Sequence, residues 1–510
     1  MTKRFLGAII SGILLILSFA PFGQDWLAFF AFVPFFYSLD GLGRRKGALI
    51  GIVFGFTFFL GTVYWVIHSM YFYGGVPIYI SVFVMLLLVL YLSVYPAVFG
   101  ALFPFFTGHG KIAQLVIMPA AWVTLEYLRG YLFTGFPWVL AGYTQTHFLP
   151  IIQIADVTGV WGVSFIVVLV NTALYFSLRY LLKKDSKFPL KEAAVTLAVI
   201  ISVVSYGFLR ISLIRKEMPL WTSIKAGVAQ GSIDQGAKWD ATFRQRTLEI
   251  YKAITINAGR AGARLIIWPE TAVPFYFDSD EIKSGFVGDI TRETGSYLLT
   301  GSPSYKYNQQ TESIEYYNSA FLLSPSGDTL GRYDKIHLVP FGEYVPLKRF
   351  LPFIKKLTTG IGDFATGIGP VPIDFEGGGI GALICYESIF PEIAGRSVKN
   401  GATVLVNITN DGWFGKTSAP YQHFDMAIFR AVENKAYLLR AANTGISAVI
   451  DPIGKIKKRT KLFEKAALVD TISLRRGPLT FYSKYGDVFA YGCIIISGIF
   501  IILSIRRRRI

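Results

Sequence analysis

The distribution of apolar residues constrains this chain more than any other feature. Up to about residue 213 it is a succession of stretches almost without charge, at about 5–20, 26–39, 47–68, 77–106, 112–128, 159–182 and 193–213. One more, at about 487–505, ends in Arg506, Arg507, Arg508 and Arg509. Backbone amides in hydrocarbon must be satisfied within their own segment, so runs of this length read as membrane-spanning helices. The second stretch is short for a full span. The first is read as a retained helix, because Pro21-Phe22-Gly23-Gln24-Asp25 makes a poor small-residue cleavage site. Residues 214–485 have ordinary globular composition. Three parts follow: membrane helices over 1–213, a folded domain over 214–485, and a last helix with a basic tail over 486–510.

Charge orients these parts. The net charge of +17 divides into +7 for residues 214–485 and +10 for the remainder. The basic excess therefore flanks the membrane segments, which argues against nucleic acid as a partner. With all eight segments spanning and a cytoplasmic N-terminus, the cytoplasmic flanks carry 15 Lys and Arg against 2 on the opposite short loops. The positive-inside rule then puts both termini in the cytoplasm and residues 214–485 on the outer, periplasmic-type face. Between the fifth and sixth segments, Glu126 to Gln145 is aromatic and glycine-rich. It reads equally as an interfacial loop touching lipid or the outer domain and as a plain connection.

Within 214–485, strand and helix signals alternate, as in an α/β domain with a layered sheet core. Strands are expected at about 224–228, 264–268, 297–301, 319–323, 381–385, 403–407 and 446–450, with helices at about 240–258 and 421–437. Two cysteines occur, Cys385 and Cys493, and Cys493 lies in the last apolar segment, so a disulfide framework is not expected. Gly381-Ala382-Leu383-Ile384 leads into Cys385-Tyr386-Glu387, and Pro391-Glu392 suits a first helical turn. A thiol on such a strand-to-helix turn stands beside N–H groups that favour a thiolate and an oxyanion; a buried apolar Cys is the plainer alternative.

Other residues offer complementary chemistry. Trp268-Pro269-Glu270 places a carboxylate at a strand end, where a general base for a thiol is expected. Lys335, in Tyr333-Asp334-Lys335-Ile336-His337, supplies a fixed cation that lowers a thiol pKa and steadies an oxyanion. Glu343, in Phe341-Gly342-Glu343-Tyr344, is a second carboxylate able to position Lys335 or the base. His337 and His423 remain open as partners for the thiol. No zinc-ligand spacing is present.

The order Glu270 in WPE, Lys335 in YDKIHLVPFGEYVP and Cys385 in LICYESIF resembles the nitrilase (carbon–nitrogen hydrolase) superfamily. Together with the flanking membrane helices, the TGFPW stretch and NITNDGWFG (residues 407–415), the whole chain resembles the apolipoprotein N-acyltransferase family. That resemblance implies an α-helical transmembrane bundle of about eight helices carrying an α/β nitrilase-like αββα sandwich in the periplasm. It implies a ping-pong acyl transfer at the inner membrane with Glu270, Lys335 and Cys385 as catalytic residues, without cofactor or metal. The acyl donor would be a phospholipid, typically phosphatidylethanolamine, and the acceptor the N-terminal amine of S-diacylglyceryl-cysteine on an apolipoprotein. It further implies supporting roles for Glu343, Tyr386 and Glu387, substrate contacts for Trp239, Trp413 and Phe414, and a monomer. Residues 347–356, mixing basic and apolar side chains, read as a lid on headgroups and acyl chains. Two other readings compete. A membrane-anchored amidase would use water as acceptor, yet a simple anchor needs one helix. A transporter would carry charge within its spans, which are nearly free of it apart from Glu126 near a helix end.

Overall fold

The computed structural model describes residues 1–236, 241–310, 312–344 and 363–507. By internal contacts the chain forms two compact units. One comprises residues 1–67, 77–212 and 485–510, the other 68–76 and 213–484. Residues 68–76, which follow the third apolar stretch, thus belong with the unit that holds Cys385.

The first unit is helical. Among the described residues, five helices are long and apolar enough to cross a membrane: Arg44–Val63, Ile78–Phe106, Val160–Leu181, Leu190–Leu220 and Val488–Arg506. Thr2–Ser18 and Lys111–Tyr131 form two further helices. The second apolar stretch breaks into Asp25–Leu27, Ala28–Ala31 and Val33–Leu39. Fifteen residues rise only about 22 Å as a helix, short of the ~30 Å hydrocarbon layer. The break around Phe32 and Pro34 frees backbone groups, and polar side chains of neighbouring helices take them up. Asn171 Nδ2 donates to Ala28 O (2.8 Å), Phe32 N donates to Asn171 Oδ1 (2.9 Å), and Phe35 N donates to Ser11 Oγ (2.7 Å). These are the contacts that make irregular backbone tolerable inside a bundle. Helices Arg44–Val63 and Ile78–Phe106 meet along a seam of small residues. A Cβ at Gly47 would collide with the Gly100 carbonyl, and one at Gly51 with the Pro96 carbonyl.

The loop after Tyr131 is folded into this unit. Glu126 Oε1 accepts from Ala141 N (2.7 Å) and Trp122 Nε1 (3.0 Å), while Arg129 Nη1 donates to Trp138 O (2.8 Å). Trp138 and Tyr143 are buried, and Phe133 alone among the loop aromatics stands 84% exposed. Most of this stretch is therefore packed inside the unit, with Leu132 and Phe133 left on its surface.

The second unit is built on two six-stranded sheets. Its strands are β1 (Ser223–Gln230), β2 (Leu265–Ile267), β3 (Tyr297–Asn308), β4 (Ser313–Leu323), β5 (Thr329–Asp334), β6 (Ile373–Phe375), β7 (Gly378–Ile384), β8 (Val404–Thr409), β9 (Leu438–Ala442), β10 (Ala448–Ile450), β11 (Ile456–Arg459) and β12 (Ala466–Ser473). The first sheet runs β12-β1-β2-β3-β4-β5, the second β11-β10-β9-β8-β7-β6. Alternation along each strand divides its residues between two faces. Leu265 and Ile267 join Ile380, Ala382, Ile384, Val404, Val406 and Leu439 in a core between the sheets. Ile266 and Trp268 face the other way, against Leu248, Tyr251, Val287 and Ile290 of helices Ala241–Arg260 and Glu281–Thr294. Helices Pro391–Lys399 and Ala419–Asn434 pack on the outer face of the second sheet. The unit is the αββα sandwich that the resemblance implied.

Several elements differ from the sequence expectation. β3 and β4 are twice the expected length, because their polar outer halves pair with each other from Leu298–Leu323 out to Asn308–Ser313. β12, with Asp470, Thr471 and Ser473 among its eight residues, pairs antiparallel with β1 along its whole length. The helix expected to reach 437 stops at Asn434, where Lys435 turns left-handed (φ 48°), and Leu438 starts β9.

Candidate active site

β7, β8 and β9 are parallel neighbours, as are β1, β2 and β3, so the strand ends that carry functional groups gather at one end of each sheet. Glu270 lies three residues past β2. Its close approach to β3 requires glycine there: a Cβ on Gly301 would fall 2.7 Å from Glu270 Cα. Lys335 follows β5, and its N–H continues the ladder by donating to Asn318 O (2.9 Å). Cys385 follows β7 with φ 54°, the left-handed region that β-carbon-bearing residues avoid. A turn over Cys385–Ile389 comes next, and Pro391 then opens a helix at its first position. The N–H groups beside the thiol therefore belong to that turn rather than to the helix.

These three residues are buried together: Glu270 is 6%, Lys335 1% and Cys385 8% exposed. Lys335 Nζ lies 3.9 Å from Glu270 Oε1 and 2.9 Å from Glu343 Oε2. Asn318 Nδ2 donates to both carboxylates, at 2.8 Å to Glu270 and 2.9 Å to Glu343. Asn410 N donates to Glu270 Oε2 (2.9 Å), and Val339 N to Glu343 Oε2 (2.8 Å). Each carboxylate is thus aimed by its own backbone donor, and one amide ties the two. Burial works against the charge of Lys335, but Glu343 and Glu270 outweigh it and raise its pKa. Burial and the Glu270 charge push the Cys385 thiol well up, against the pull of Lys335. At neutral pH Cys385 therefore rests as the thiol, with the Lys335 ammonium alongside.

Glu387 and Tyr386 face elsewhere. Glu387 is fully buried and accepts from Tyr333 Oη (3.0 Å), Ile336 N (2.6 Å), His337 N (3.1 Å) and Ile384 N (2.7 Å). Burial raises it to about 7, against the backbone donors and Lys335. It ties the segment after Lys335 to the residue before Cys385. Tyr386 packs edge-on to Phe390 at 5.2 Å. His337 lies on the Phe390 ring at 3.7 Å. His423 is buried under the turn, with Nε2 3.2 Å from the Cys385 carbonyl oxygen. Phe414 meets the His423 ring edge-on at 6.3 Å. Trp413 packs against Tyr73 at 5.4 Å, and its carbonyl accepts from Ser69 Oγ (2.9 Å). Trp239 and residues 347–356 lie outside the described residues.

Asn318, Thr409, Asn410, Asp411 and Arg440 were not singled out individually in the sequence. Three of them, Thr409 to Asp411, lie in NITNDGWFG, whose polar residues at a strand end are the available signal. Arg440 sits inside the apolar strand β9, where a lone polar residue marks a buried partner, whereas Asn318 lies where the polar half of β4 gives way to its apolar half.

Comparison with known proteins places this architecture. The family model for the apolipoprotein N-acyltransferase N-terminal domain matches residues 11–173, and that for carbon-nitrogen hydrolase matches residues 225–477. The apolipoprotein N-acyltransferase of Geobacter metallireducens is 43% identical, covering 100% of this chain and 96% of its own. That of Methylococcus capsulatus is 36% identical over 99% of this chain and 97% of its own. Among solved structures, a carbon-nitrogen hydrolase from Helicobacter pylori G27 aligns at 18% identity and a TM-score of 0.40, over 53% of this chain and 95% of that one. On these full-length matches the chain belongs to the apolipoprotein N-acyltransferase family.

Proposed function

We propose that this membrane-embedded acyltransferase moves an acyl chain from a phospholipid, through a thioester on Cys385, to the N-terminal amine of a diacylglyceryl apolipoprotein. The observation that carries the reading is the buried convergence of Glu270, Lys335 and Cys385, with the thiol on a left-handed turn. In the first step Glu270 takes the thiol proton as sulfur attacks the ester carbonyl carbon. The charge that develops on the carbonyl oxygen is stabilised by the Lys335 ammonium. The C–O bond then breaks, and Glu270 returns the proton to the departing lysophospholipid oxygen. In the second step the acceptor amine attacks the thioester carbonyl, Glu270 takes its proton, and the C–S bond breaks with reprotonation of Cys385. Glu343, hydrogen-bonded to Lys335, holds the ammonium in place.

Phosphatidylethanolamine is the proposed donor, and the monomer the proposed working unit. The asymmetry of basic residues supports a position in the inner membrane with the sandwich in the periplasm and both termini in the cytoplasm. Both substrates are lipids, so a catalytic unit joined to membrane helices spares each acyl chain a transfer through water.

The test uses purified protein in detergent with phosphatidylethanolamine and a diacylglyceryl-cysteine peptide. Equal amounts of lysophospholipid and N-acylated peptide are expected. Free fatty acid in place of acylated peptide would establish a hydrolase instead.

A further inference from the structure

Cys385 holds a backbone conformation that costs about 1–2 kcal/mol for a residue with a Cβ, so something must hold it there. Glu387 grips the preceding N–H of Ile384. On the other side, three side chains converge on the Cys385 carbonyl oxygen: Ser388 Oγ at 3.0 Å, His423 Nε2 at 3.2 Å and Asn407 Nδ2 at 3.4 Å. Behind them lies a second buried network. Arg440 Nη2 donates to Asp411 Oδ2 (2.8 Å) and stands 3.0 Å from His423 Nδ1, while Arg440 Nη1 donates to Asn407 Oδ1. Thr409 Oγ1 donates to Asp411 Oδ1 (3.0 Å), which is also 3.0 Å from His423 Nδ1. Ser388, Asn407, Thr409, Asp411, His423 and Arg440 are all essentially inaccessible to solvent.

The topology explains the placement. Val406, Ile408, Leu439 and Ala441 fill the core between the sheets, so the alternate residues Asn407, Thr409 and Arg440 face the covering helix that carries His423. Asn407 is the register partner of both Leu383 and Arg440. Arg440 and Asp411 neutralise each other, which leaves room for an uncharged imidazole, and burial with Arg440 lowers the His423 pKa accordingly.

We propose that His423, oriented by the Arg440–Asp411 pair, is a positioning residue that clasps the Cys385 carbonyl from Nε2–H and so holds the nucleophile in its left-handed, reactive conformation. Nε2–H is shared between that carbonyl and Ser388 Oγ, 2.9 Å away, whose own hydroxyl donates to the same oxygen, while Nδ1 accepts from Arg440 Nη2. The ring acts through the backbone. This inference rests on the proposed acylation of Cys385 and names what keeps that sulfur aimed.

The experiment compares the rate of acyl-adduct formation with the apparent donor affinity, by intact-protein mass spectrometry, in full-length variants. His423→Gln carries an amide near the Nε2 position, whereas His423→Asn carries one near Nδ1. Expected are a roughly tenfold or greater loss in acylation rate for His423→Asn and His423→Leu, about 1.4 kcal/mol or more in barrier, with donor affinity unchanged. His423→Gln should recover most of the rate, and Ser388→Ala should lose several-fold. Should the Asn and Leu variants fail to fold, Ser388→Ala and His423→Gln decide. Wild-type rates in Ser388→Ala, or equal rates in the Gln and Asn variants, would overturn the proposal. Absence of an adduct in the wild type would instead overturn the acylation reading on which it rests.

Discussion

The two sides of Cys385 are both buried and both polar, yet they are built to different ends. On the Glu270 side, two carboxylates share one ammonium at 2.9 and 3.9 Å, and the thiol feels both signs of charge. Protons and charge can move there with little rearrangement. On the Glu387 and His423 side the groups are saturated. Glu387 accepts four hydrogen bonds. Asp411 pairs with Arg440 and receives Thr409. Burial opposes the charge of Asp411, but Arg440 and the Thr409 hydroxyl outweigh it and hold its carboxyl at about 2. The contrast teaches that burial alone does not mark a catalytic carboxylate. What distinguishes Glu270 is that its charge acts on the Lys335 ammonium and the Cys385 thiol, whereas Glu387 accepts mainly from backbone N–H groups.

Substitutions sharpen the contrast, the largest effects falling on the Glu270 side. Glu270→Gln removes the proton acceptor and is expected to slow acylation by about 10²- to 10⁴-fold, measured by adduct formation, with no fall in unfolding temperature. Lys335→Met should cost about 10²- to 10³-fold through loss of oxyanion stabilisation. The two variants should also move the thiol oppositely. Loss of the Glu270 charge lowers the Cys385 pKa, and loss of the Lys335 charge raises it further, as ultraviolet thiolate absorbance against pH will show.

For Glu387 and Asp411 the expected effects are on stability. Glu387→Gln puts an amide donor against a shell of donors, and leaving one unsatisfied costs about 1–3 kcal/mol. A lower unfolding temperature is expected, with an adduct still formed. Asp411 has a folded pKa below its unfolded value of 3.8. Its contribution of about 2 kcal/mol is therefore present above that value and fades as pH falls towards 2. Asp411→Asn should be less stable than wild type at neutral pH and converge with it in acid, by denaturant unfolding. A catalytic collapse without loss of stability in Glu387→Gln would break the contrast.

Much of this was legible in the sequence, for reasons that particular residues make plain. Apolar runs announced the helical unit because hydrocarbon leaves few alternatives, and Trp268-Pro269-Glu270 announced a strand end because proline cannot continue the ladder. The break at Phe32 was not legible, since the residues that repair it, Asn171 and Ser11, lie far away in sequence. Helix Glu281–Thr294 was missed although Asp280 caps it through Lys283 N and Gly295 ends it at φ 61°. Most of its residues are polar, so apolar periodicity does not announce it. His423 was noticed as a possible partner of the thiol. That it reaches the carbonyl instead follows from strand register and helix packing, which no local pattern encodes.

The central claim is that Cys385 carries the acyl group. The direct measurement is intact-protein mass spectrometry after incubation with a phospholipid bearing a labelled acyl chain and no acceptor. The account predicts the mass of one acyl chain located on Cys385, absent in Cys385→Ala, and discharged on adding a diacylglyceryl-cysteine peptide with acylation of its amine. An unmodified wild-type protein that still acylates the peptide, or an adduct that survives in Cys385→Ala, would contradict it.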